Sequence, residues 1–211
     1  MSISHYIKEI GRGKDGARPL TRDQATDLLG QVLDGAVTDL EVGGFCLAMR
    51  IKGETADEMA GFIDAARVRM SLVPPSPGGR ATVVLPSYNG ARKLPVLTPL
   101  LAQLLVDRGY RVVVHGVSSD PGRTTTAEVL AAMGLAARAD VADVRDDEVN
   151  FLPIEVLSPA LRRLLDVRRV VGLRNSAHSM VKLLNPCTDR ALVVGSYTHP
   201  CLLYTSPSPR D

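Results

Sequence analysis

Long apolar runs are missing from this sequence of 211 residues. None approaches the roughly 20 consecutive residues that a membrane-spanning helix needs, and the first residues are polar where a secretory signal would carry its apolar core. The chain has only three cysteines, Cys46, Cys187 and Cys201, and their spacing suits neither a metal site nor a disulfide framework. We therefore expect a cytoplasmic protein with no membrane partner and no bound metal.

Aromatic residues are also scarce, at 4%, but 45% hydrophobic and 23% charged residues make an ordinary globular composition. This length accommodates one large domain or two small ones. The net charge of +2 conceals one strongly basic segment, since residues 158–190 contain seven basic side chains and two acidic ones. Such a segment predicts either a positive face for a polyanion or a solvated helix surface.

The N-terminal third has the pattern of a small helical bundle. Capping boxes, in which a threonine precedes Gln or Glu by three positions, begin at Thr21, Thr38 and Thr55. Each box precedes apolar residues at helical spacing, and a further short helix is predicted before the first box. The proline- and glycine-rich residues 74–79 then predict a linker or hinge. We therefore assign residues 1–74 to a helical domain.

Beyond the linker, the pattern changes to strands that alternate with helices. Residues 81–85 and 111–115 are short β-branched runs, separated by a helical pattern over 95–106 and followed by another over 125–133. This alternation predicts a mainly parallel sheet with helices on both faces, in a partial α/β domain over residues 80–200. The predicted fold class is therefore α/β with an N-terminal helical bundle.

The two loops that follow these strands form the candidate site, because the ligand crevice of a parallel sheet lies beyond the carboxyl ends of its strands. Hydroxyls, an amide, glycines and cations in both loops suit an anionic ligand such as a phosphate. Two alternatives stay open: the threonines only cap a helix, and the histidine only ends a strand with its ring bonded to the backbone. The candidates are Ser87, Tyr88, Asn89, Gly90, Arg92, Lys93, His115, Gly116, Arg123, Thr124, Thr125 and Thr126.

Five short motifs, found in the family's order, resemble the anthranilate phosphoribosyltransferase-like family, which includes pentosyl-transferring nucleoside phosphorylases. They lie at residues 43–55, 114–116, 126–130, 172–175 and 183–186. The resemblance implies a helical domain, completed by residues 153–185, that packs on an α/β domain with the substrate cleft between them. It also implies a homodimer joined through the helical domain. Arg174, Asn175 and Lys182 join the candidate site residues.

The loop after the first strand departs from the family's enzymes. They carry Gly-Thr-Gly-Gly-Asp around pyrophosphate, whereas this chain carries Pro86-Ser87-Tyr88-Asn89-Gly90. Pro86 has no N–H to donate, and Tyr88 fills space. This variant resembles a bacterial branch of the family that binds DNA. We therefore predict a basic groove that binds single-stranded or non-specific nucleic acid through its phosphates, with Tyr88 stacking on bases and no cofactor required.

The alternative prediction is a phosphoribosyl or other pentosyl transferase with an atypical donor loop, which would use Mg²⁺. Electrostatic stabilisation of the transition state would then be the main catalytic effect, and no catalytic residue is assigned. His178 lies in an apolar helical stretch and is expected to pack rather than to bind a ligand. The arginine pairs at residues 162–163 and 168–169 fit a solvated helix face as well as a binding face.

The last residues, 201–211, differ from the rest of the chain. Their sequence, Cys-Leu-Leu-Tyr-Thr-Ser-Pro-Ser-Pro-Arg-Asp, resembles one reading frame of an adaptor used to prepare sequencing libraries. We expect this tail to be non-native and the domain to be truncated. On this expectation, the acidic pair that binds magnesium in the family's enzymes would lie past Pro200.

Overall fold

A computed structural model describes residues 2–13, 15–189 and 191–194 of the chain. These residues form an N-terminal helical unit and an α/β unit with a parallel sheet, which confirms the predicted fold class. The adaptor-like tail at residues 201–211 lies outside the described residues. No helix among the described residues combines the length and the apolar character needed to cross a membrane.

Helices of the N-terminal unit begin where the sequence predicts. Their bounds are α1 (Ser4–Ile10), α2 (Arg22–Leu33), α3 (Asp39–Lys52) and α4 (Ala56–Arg67). At Thr21, Thr38 and Thr55 the threonine side chain accepts a hydrogen bond from the backbone three residues on, and the Gln or Glu there accepts one in return. Each box therefore satisfies backbone donors that a helix start would leave unpaired.

Glu41 makes the stability of this bundle depend on pH. Its carboxylate accepts hydrogen bonds from the Thr38 backbone N–H at 2.9 Å and from the Ser2 hydroxyl at 2.7 Å. These bonds, the Thr38 backbone bond foremost, lower the pKa of Glu41 from 4.5 to about 2. Because the folded pKa lies below the unfolded one, the stabilisation is present above the ordinary pKa and is lost as the pH falls through about 2.

We expect Glu41→Gln to lower the urea midpoint of unfolding at pH 6 and to have little effect near pH 2. Urea titrations of the variant and of the unmodified chain across this range measure the difference. A difference that stays constant with pH would show that the Glu41 carboxylate is not the titrating group.

The α/β unit is built on a parallel sheet. Its described strands are β1 (Thr82–Ser87), β2 (Arg111–Gly116), β3 (Val149–Pro153) and β4 (Ala191–Val193). The strand order is β3-β2-β1-β4, and Ser87 pairs with Gly116, so β1 and β2 end side by side. The helices that follow β1 and β2 are α5 (Thr98–Asp107) and α6 (Thr126–Ala132). The sequence pattern predicts these two strands and helices but not β3.

A helical segment after β3 packs on the N-terminal bundle. It consists of α7 (Ile154–Leu157), α8 (Pro159–Val171) and α9 (Ala177–Met180). Leu161 and Met180 are fully buried in the same apolar cluster as Leu28 and Phe45 of the bundle. A separate apolar cluster lies between the other face of the sheet and the helices α5 and α6. The first cluster therefore fixes α8 and α9 above the strand ends.

The proline-rich linker is held by hydrogen bonds to the α/β unit. The Ser76 hydroxyl donates to Asp146 at 2.7 Å, and the Gly78 backbone N–H donates to the same carboxylate at 3.0 Å. The buried Arg111 side chain donates to the Pro74 carbonyl at 2.8 Å. These contacts fix the path of the linker, so residues 74–79 do not form a free hinge.

Candidate functional site

A strongly basic cleft of about 410 Å³ opens beyond the carboxyl ends of β1 and β2. One wall is formed by the loops that follow these strands, and the other by α8 and the segment leading into α9. Arginine dominates the charged side chains that line the cleft, with two aspartates beside them. They are Arg92, Arg123, Arg162, Arg168, Arg169, Arg174, Asp120 and Asp166.

The two strand-end loops are joined to each other along one wall. Ala91 and Thr124 exchange backbone hydrogen bonds of 2.9 and 3.0 Å, which forms a short antiparallel bridge. Gly90 makes this approach possible, because a Cβ there would lie 2.5 Å from the Thr124 carbonyl oxygen. The bridge therefore brings Arg92 and Arg123, which are distant in sequence, to the same side of the cleft.

Arg174 connects the two walls. Its guanidinium donates a hydrogen bond of 3.2 Å to the Asn89 side chain in the loop after β1. Burial, and then the positive charges of Arg168 and Arg123, lower the pKa of Arg174. The cleft thus holds several cations close enough to repel one another, and an anion bound among them would relieve that repulsion.

Only part of this positive charge is balanced within the chain. Asp166 forms ion pairs with Arg162 at 2.8 Å and with Arg169 at 3.2 Å. Among the described residues, the other four cleft arginines form no ion pair with a carboxylate. Arginine offers a planar, forked set of donors that matches phosphate and carboxylate groups. The cleft is therefore suited to an anion with more than one charge.

Tyr88 forms the floor of the cleft, and its side chain is hydrogen-bonded to a buried histidine beneath it. The Tyr88 hydroxyl lies 2.7 Å from Nδ1 of His115, and the two rings meet edge to face with centroids 5.4 Å apart. Burial lowers the pKa of His115 to about 4. The nearby Leu184 backbone acts in the opposite direction, but it makes no well-aligned hydrogen bond to Nε2. Burial and the charge of Glu155 raise the pKa of Tyr88 well above its usual range. Both rings are consequently neutral at neutral pH.

His178 also lines the cleft, although the sequence analysis expected it to pack. Its ring is half-buried, and Nδ1 lies 3.0 Å from the Asn175 side-chain oxygen. Burial and the charge of Arg174 lower the pKa of His178 to about 4. The ring is therefore a neutral, polar part of the wall beside the arginines.

Five of the predicted site residues line the cleft: Tyr88, Asn89, Arg92, Arg123 and Arg174. The hydroxyls at the strand ends do not, because they are engaged within the protein. Ser87 and Thr126 hydrogen-bond each other at 2.7 Å, and Thr125 caps α6. Thr125 thus follows the alternative prediction, in which a threonine of this group only caps the helix.

The remaining candidates have structural positions or lie outside the cleft lining. Asn175 is buried and donates to the Leu164 carbonyl at 2.7 Å, which fixes the chain after α8. Gly116 lies directly against the Ser87 backbone of the neighbouring strand. The others that the lining does not include are Gly90, Lys93, His115, Thr124 and Lys182.

Sequence reasoning missed the contribution of α8 to the cleft. Arg162, Leu165, Asp166 and Arg169 lie at helical spacing and form one face of this helix, which lines the cleft. The spacing was a usable signal. It did not show whether this face was directed to solvent or to the strand-end loops, because that depends on how α8 packs on the bundle.

Gly116 provides a test of the close packing at the strand ends. A Cβ at this position would overlap the Ser87 carbonyl oxygen, and backbone atoms there cannot move away cheaply. We expect Gly116→Ala to destabilise the fold by about 1–3 kcal/mol, as overpacking usually does. Thermal unfolding measures the loss. Gly43→Ala is the matched control, since nothing lies within 4 Å of a Cβ there and alanine favours the helix; equal losses would contradict the close approach.

The described residues offer no metal site of their own. No group of three or more His, Cys, Asp or Glu side chains among them could hold a metal ion. Of the two cleft aspartates, Asp166 is engaged by two arginines, and Asp120 accepts the Gly122 backbone N–H at 2.9 Å. The carboxylates of this cleft therefore do not fit a resident magnesium ion.

Comparison with known proteins shows what this chain is similar to. Residues 4–70 match the protein-family model described as the glycosyl transferase family, helical bundle domain. The chain is 44% identical over 205 residues to the uncharacterized protein YbiB of Escherichia coli (strain K12), covering 95% of this chain and 64% of that protein. It is 31% identical over 199 residues to anthranilate phosphoribosyltransferase of Anaeromyxobacter dehalogenans (strain 2CP-C), covering 92% of this chain and 58% of the enzyme. The chain thus spans about three fifths of these relatives.

Solved structures agree with this fold. Anthranilate phosphoribosyltransferase from Thermus thermophilus superposes with a TM-score of 0.74 at 22% identity, over 94% of this chain and 60% of that one. The Saccharomyces cerevisiae enzyme in complex with PRPP and Mg gives a TM-score of 0.67 at 15% identity, over 88% of this chain and 55% of that one.

These findings correct the prediction of a nucleic-acid-binding protein. The relatives with a named activity, and both structures, are phosphoribosyltransferases, which favours the transferase alternative. The described chain has the anthranilate phosphoribosyltransferase fold, and residues 4–70 of its N-terminal unit match the helical bundle domain of the glycosyl transferase family.

Proposed function

We propose that this chain is part of a phosphoribosyl or other pentosyl transferase with an atypical donor loop, and that its basic cleft binds a sugar diphosphate donor. The observation that carries this proposal is the set of four unbalanced arginines, Arg92, Arg123, Arg168 and Arg174, at the carboxyl ends of β1 and β2. The similarity to anthranilate phosphoribosyltransferases over most of the chain supports it.

The chemistry of pentosyl transfer suits such a cleft. As the bond from the sugar to the diphosphate breaks, negative charge grows on the leaving diphosphate, and fixed cations there lower the barrier. Arg123 and Arg174 lie on opposite walls and can hold the two ends of such a group. No covalent nucleophile is required. Magnesium accompanies PRPP in the yeast enzyme, but the described carboxylates give it no site, and no step here depends on it.

Isothermal titration calorimetry with phosphoribosyl diphosphate tests the proposal. We expect micromolar binding that weakens as salt is raised, because the contacts are ionic. Ribose 5-phosphate is the matched control ligand, since it lacks the diphosphate and should bind more weakly. The absence of binding heat at millimolar phosphoribosyl diphosphate, with and without magnesium, would refute a donor site in this cleft.

We also propose that the protein forms a homodimer through α3 of the helical unit. Its Leu40 and Ile51 side chains are 86% and 67% exposed, and Leu47 between them is 41% exposed. Such a row of apolar side chains on one helix is unusual for a surface that stays in water. Sedimentation velocity should show a dimer for the unmodified chain and a monomer for Leu47→Glu. A monomeric unmodified chain at micromolar concentration would refute this interface.

A further inference from the structure

The crevice where β1 and β2 end is closed in this protein. Tyr88 follows β1 directly, and its side chain turns across the strand ends to reach His115 of β2, with 2.7 Å between the hydroxyl oxygen and Nδ1. His115 is fully buried beneath it. In parallel α/β sheets this crevice is the usual place for a ligand. Here the space is taken by protein atoms, and the open cleft lies on the outer side of the Tyr88 ring.

The polar groups around this crevice are also engaged. The hydroxyls of Ser87 and Thr126 bond each other, and the Glu128 carboxylate accepts the Thr125 backbone N–H at 2.7 Å at the start of α6. A carboxylate at a helix start occupies the position that favours an anionic ligand. Ser87, Thr125 and Thr126 therefore offer no free hydroxyl to a phosphate at the strand ends.

The charge distribution also favours a phosphate on the walls of the cleft rather than at the strand ends. Tyr88 at the floor and His115 beneath it are neutral at neutral pH, and Glu155 lies close enough to Tyr88 to influence it. The unbalanced cations all stand on the walls: Arg92 and Arg123 on the loops, and Arg168 and Arg174 on the helical side. A phosphate gains Coulomb energy at the walls and only a desolvation cost at the floor.

We propose that Tyr88 is a specificity-determining residue of this cleft, which keeps phosphate groups out of the strand-end crevice and confines them to the arginine walls. The identity of the ligand as a phosphorylated sugar rests on the proposed function; the closure of the crevice by Tyr88 does not. Ligands that need a deep pocket are excluded by this ring, and those that can lie across the arginines are accepted.

Chemical labelling of His115 in the full 211-residue chain tests the closure directly. Diethyl pyrocarbonate modifies accessible imidazole rings, and peptide mass mapping assigns the modified histidines. In the unmodified chain and in Tyr88→Phe, which keeps the ring, we expect His115 to react at least tenfold more slowly than the exposed His5. In Tyr88→Ala we expect His115 to react at a rate within a few-fold of His5.

Ligand titrations then test the consequence for specificity. We expect phosphoribosyl diphosphate in magnesium-free buffer to slow His115 labelling at least tenfold in Tyr88→Ala and to leave it unchanged in the unmodified chain, because only the variant admits a phosphate to the strand ends. Tyr88→Phe should match the unmodified chain within about twofold. If Tyr88→Ala does not fold, Tyr88→Val, which keeps an apolar floor but uncovers His115, replaces it in both measurements.

The outcomes separate the two proposals. Fast labelling of His115 in the unmodified chain overturns the role of Tyr88. So does His115 labelling that phosphoribosyl diphosphate fails to slow in a folded Tyr88→Ala or Tyr88→Val variant that binds this ligand. If no variant binds this ligand, the proposed function fails, and the labelling ratio between the unmodified chain and the alanine or valine variant decides on the closure alone.

Discussion

Replacing Arg174 with alanine is expected to weaken binding of phosphoribosyl diphosphate by about tenfold to a hundredfold. Arg174 lies among like charges and bridges the cleft to Asn89, so it combines charge with a fixed orientation. A hydrogen bond to a charged group contributes about 1.5–3 kcal/mol, and each 1.4 kcal/mol corresponds to roughly a factor of ten in affinity. Isothermal titration calorimetry of Arg174→Ala against the unmodified chain measures the loss.

Three further variants identify its cause. Arg163→Ala removes an exposed arginine of α8 that does not line the cleft, and its affinity should change less than threefold. Arg174→Lys keeps the charge without the forked donors and should recover only part of the loss. Asn89→Ala removes the hydrogen-bond partner of Arg174 in the loop after β1. Its affinity shows how much of the loss comes from displacement of that loop. Equal losses for Arg163→Ala and Arg174→Ala would show that only net charge matters.

Glu58→Gln is expected to destabilise the helical unit by about 3–5 kcal/mol, the usual result of breaking a buried ion pair. Glu58 is fully buried, and its carboxylate faces only donors: Lys52 at 2.6 Å and the backbone N–H groups of Leu20 and Thr55, both at 2.8 Å. Burial alone would raise the pKa of Glu58, but these hydrogen bonds lower it overall. A glutamine amide would direct its own N–H donors at one of these groups.

Differential scanning calorimetry checks this expectation. At about 2–4 °C per kcal/mol for a chain of this size, the melting temperature should fall by about 6–20 °C. Asp57→Asn is the matched control, because Asp57 is an exposed neighbour in the first turn of α4 and should contribute at most about 1 kcal/mol. Melting temperatures of the two variants within about 2–3 °C of each other would contradict the importance of the buried pair.

The elements that local signals specify could be predicted from the sequence. The threonine capping boxes at Thr21, Thr38 and Thr55 act within three residues, so their consequence does not depend on the rest of the fold. The strands β1 and β2 are continuous β-branched runs, as expected for strands that are buried on both faces. By contrast, β3 was missed because Asn150 interrupts a short run that follows three acidic residues.

The reason for that miss is tertiary. Asn150 is fully buried, and its side-chain amide donates to the Val112, Arg145 and Glu148 carbonyls at 2.8–3.0 Å. A polar residue inside a strand contradicts the apolar pattern unless such partners exist, and those partners come from β2 and from the preceding loop. The site shows the same limitation. The sequence indicated that Tyr88 fills space, but only its contact with His115 shows which space it fills.

Alone, the sequence determined the helical bundle, the parallel sheet and the position of the candidate loops at the strand ends, because helix caps, apolar periodicity and strand direction are local or topological properties. Only the tertiary structure decided which cations converge. Arg92, Arg123, Arg168 and Arg174 come from four separate segments, and it is the packing of α8 on the bundle and the bridge between Ala91 and Thr124 that bring them to one cleft. Charge acts through space over a few ångströms, so its effect depends on distances that no spacing along the chain contains.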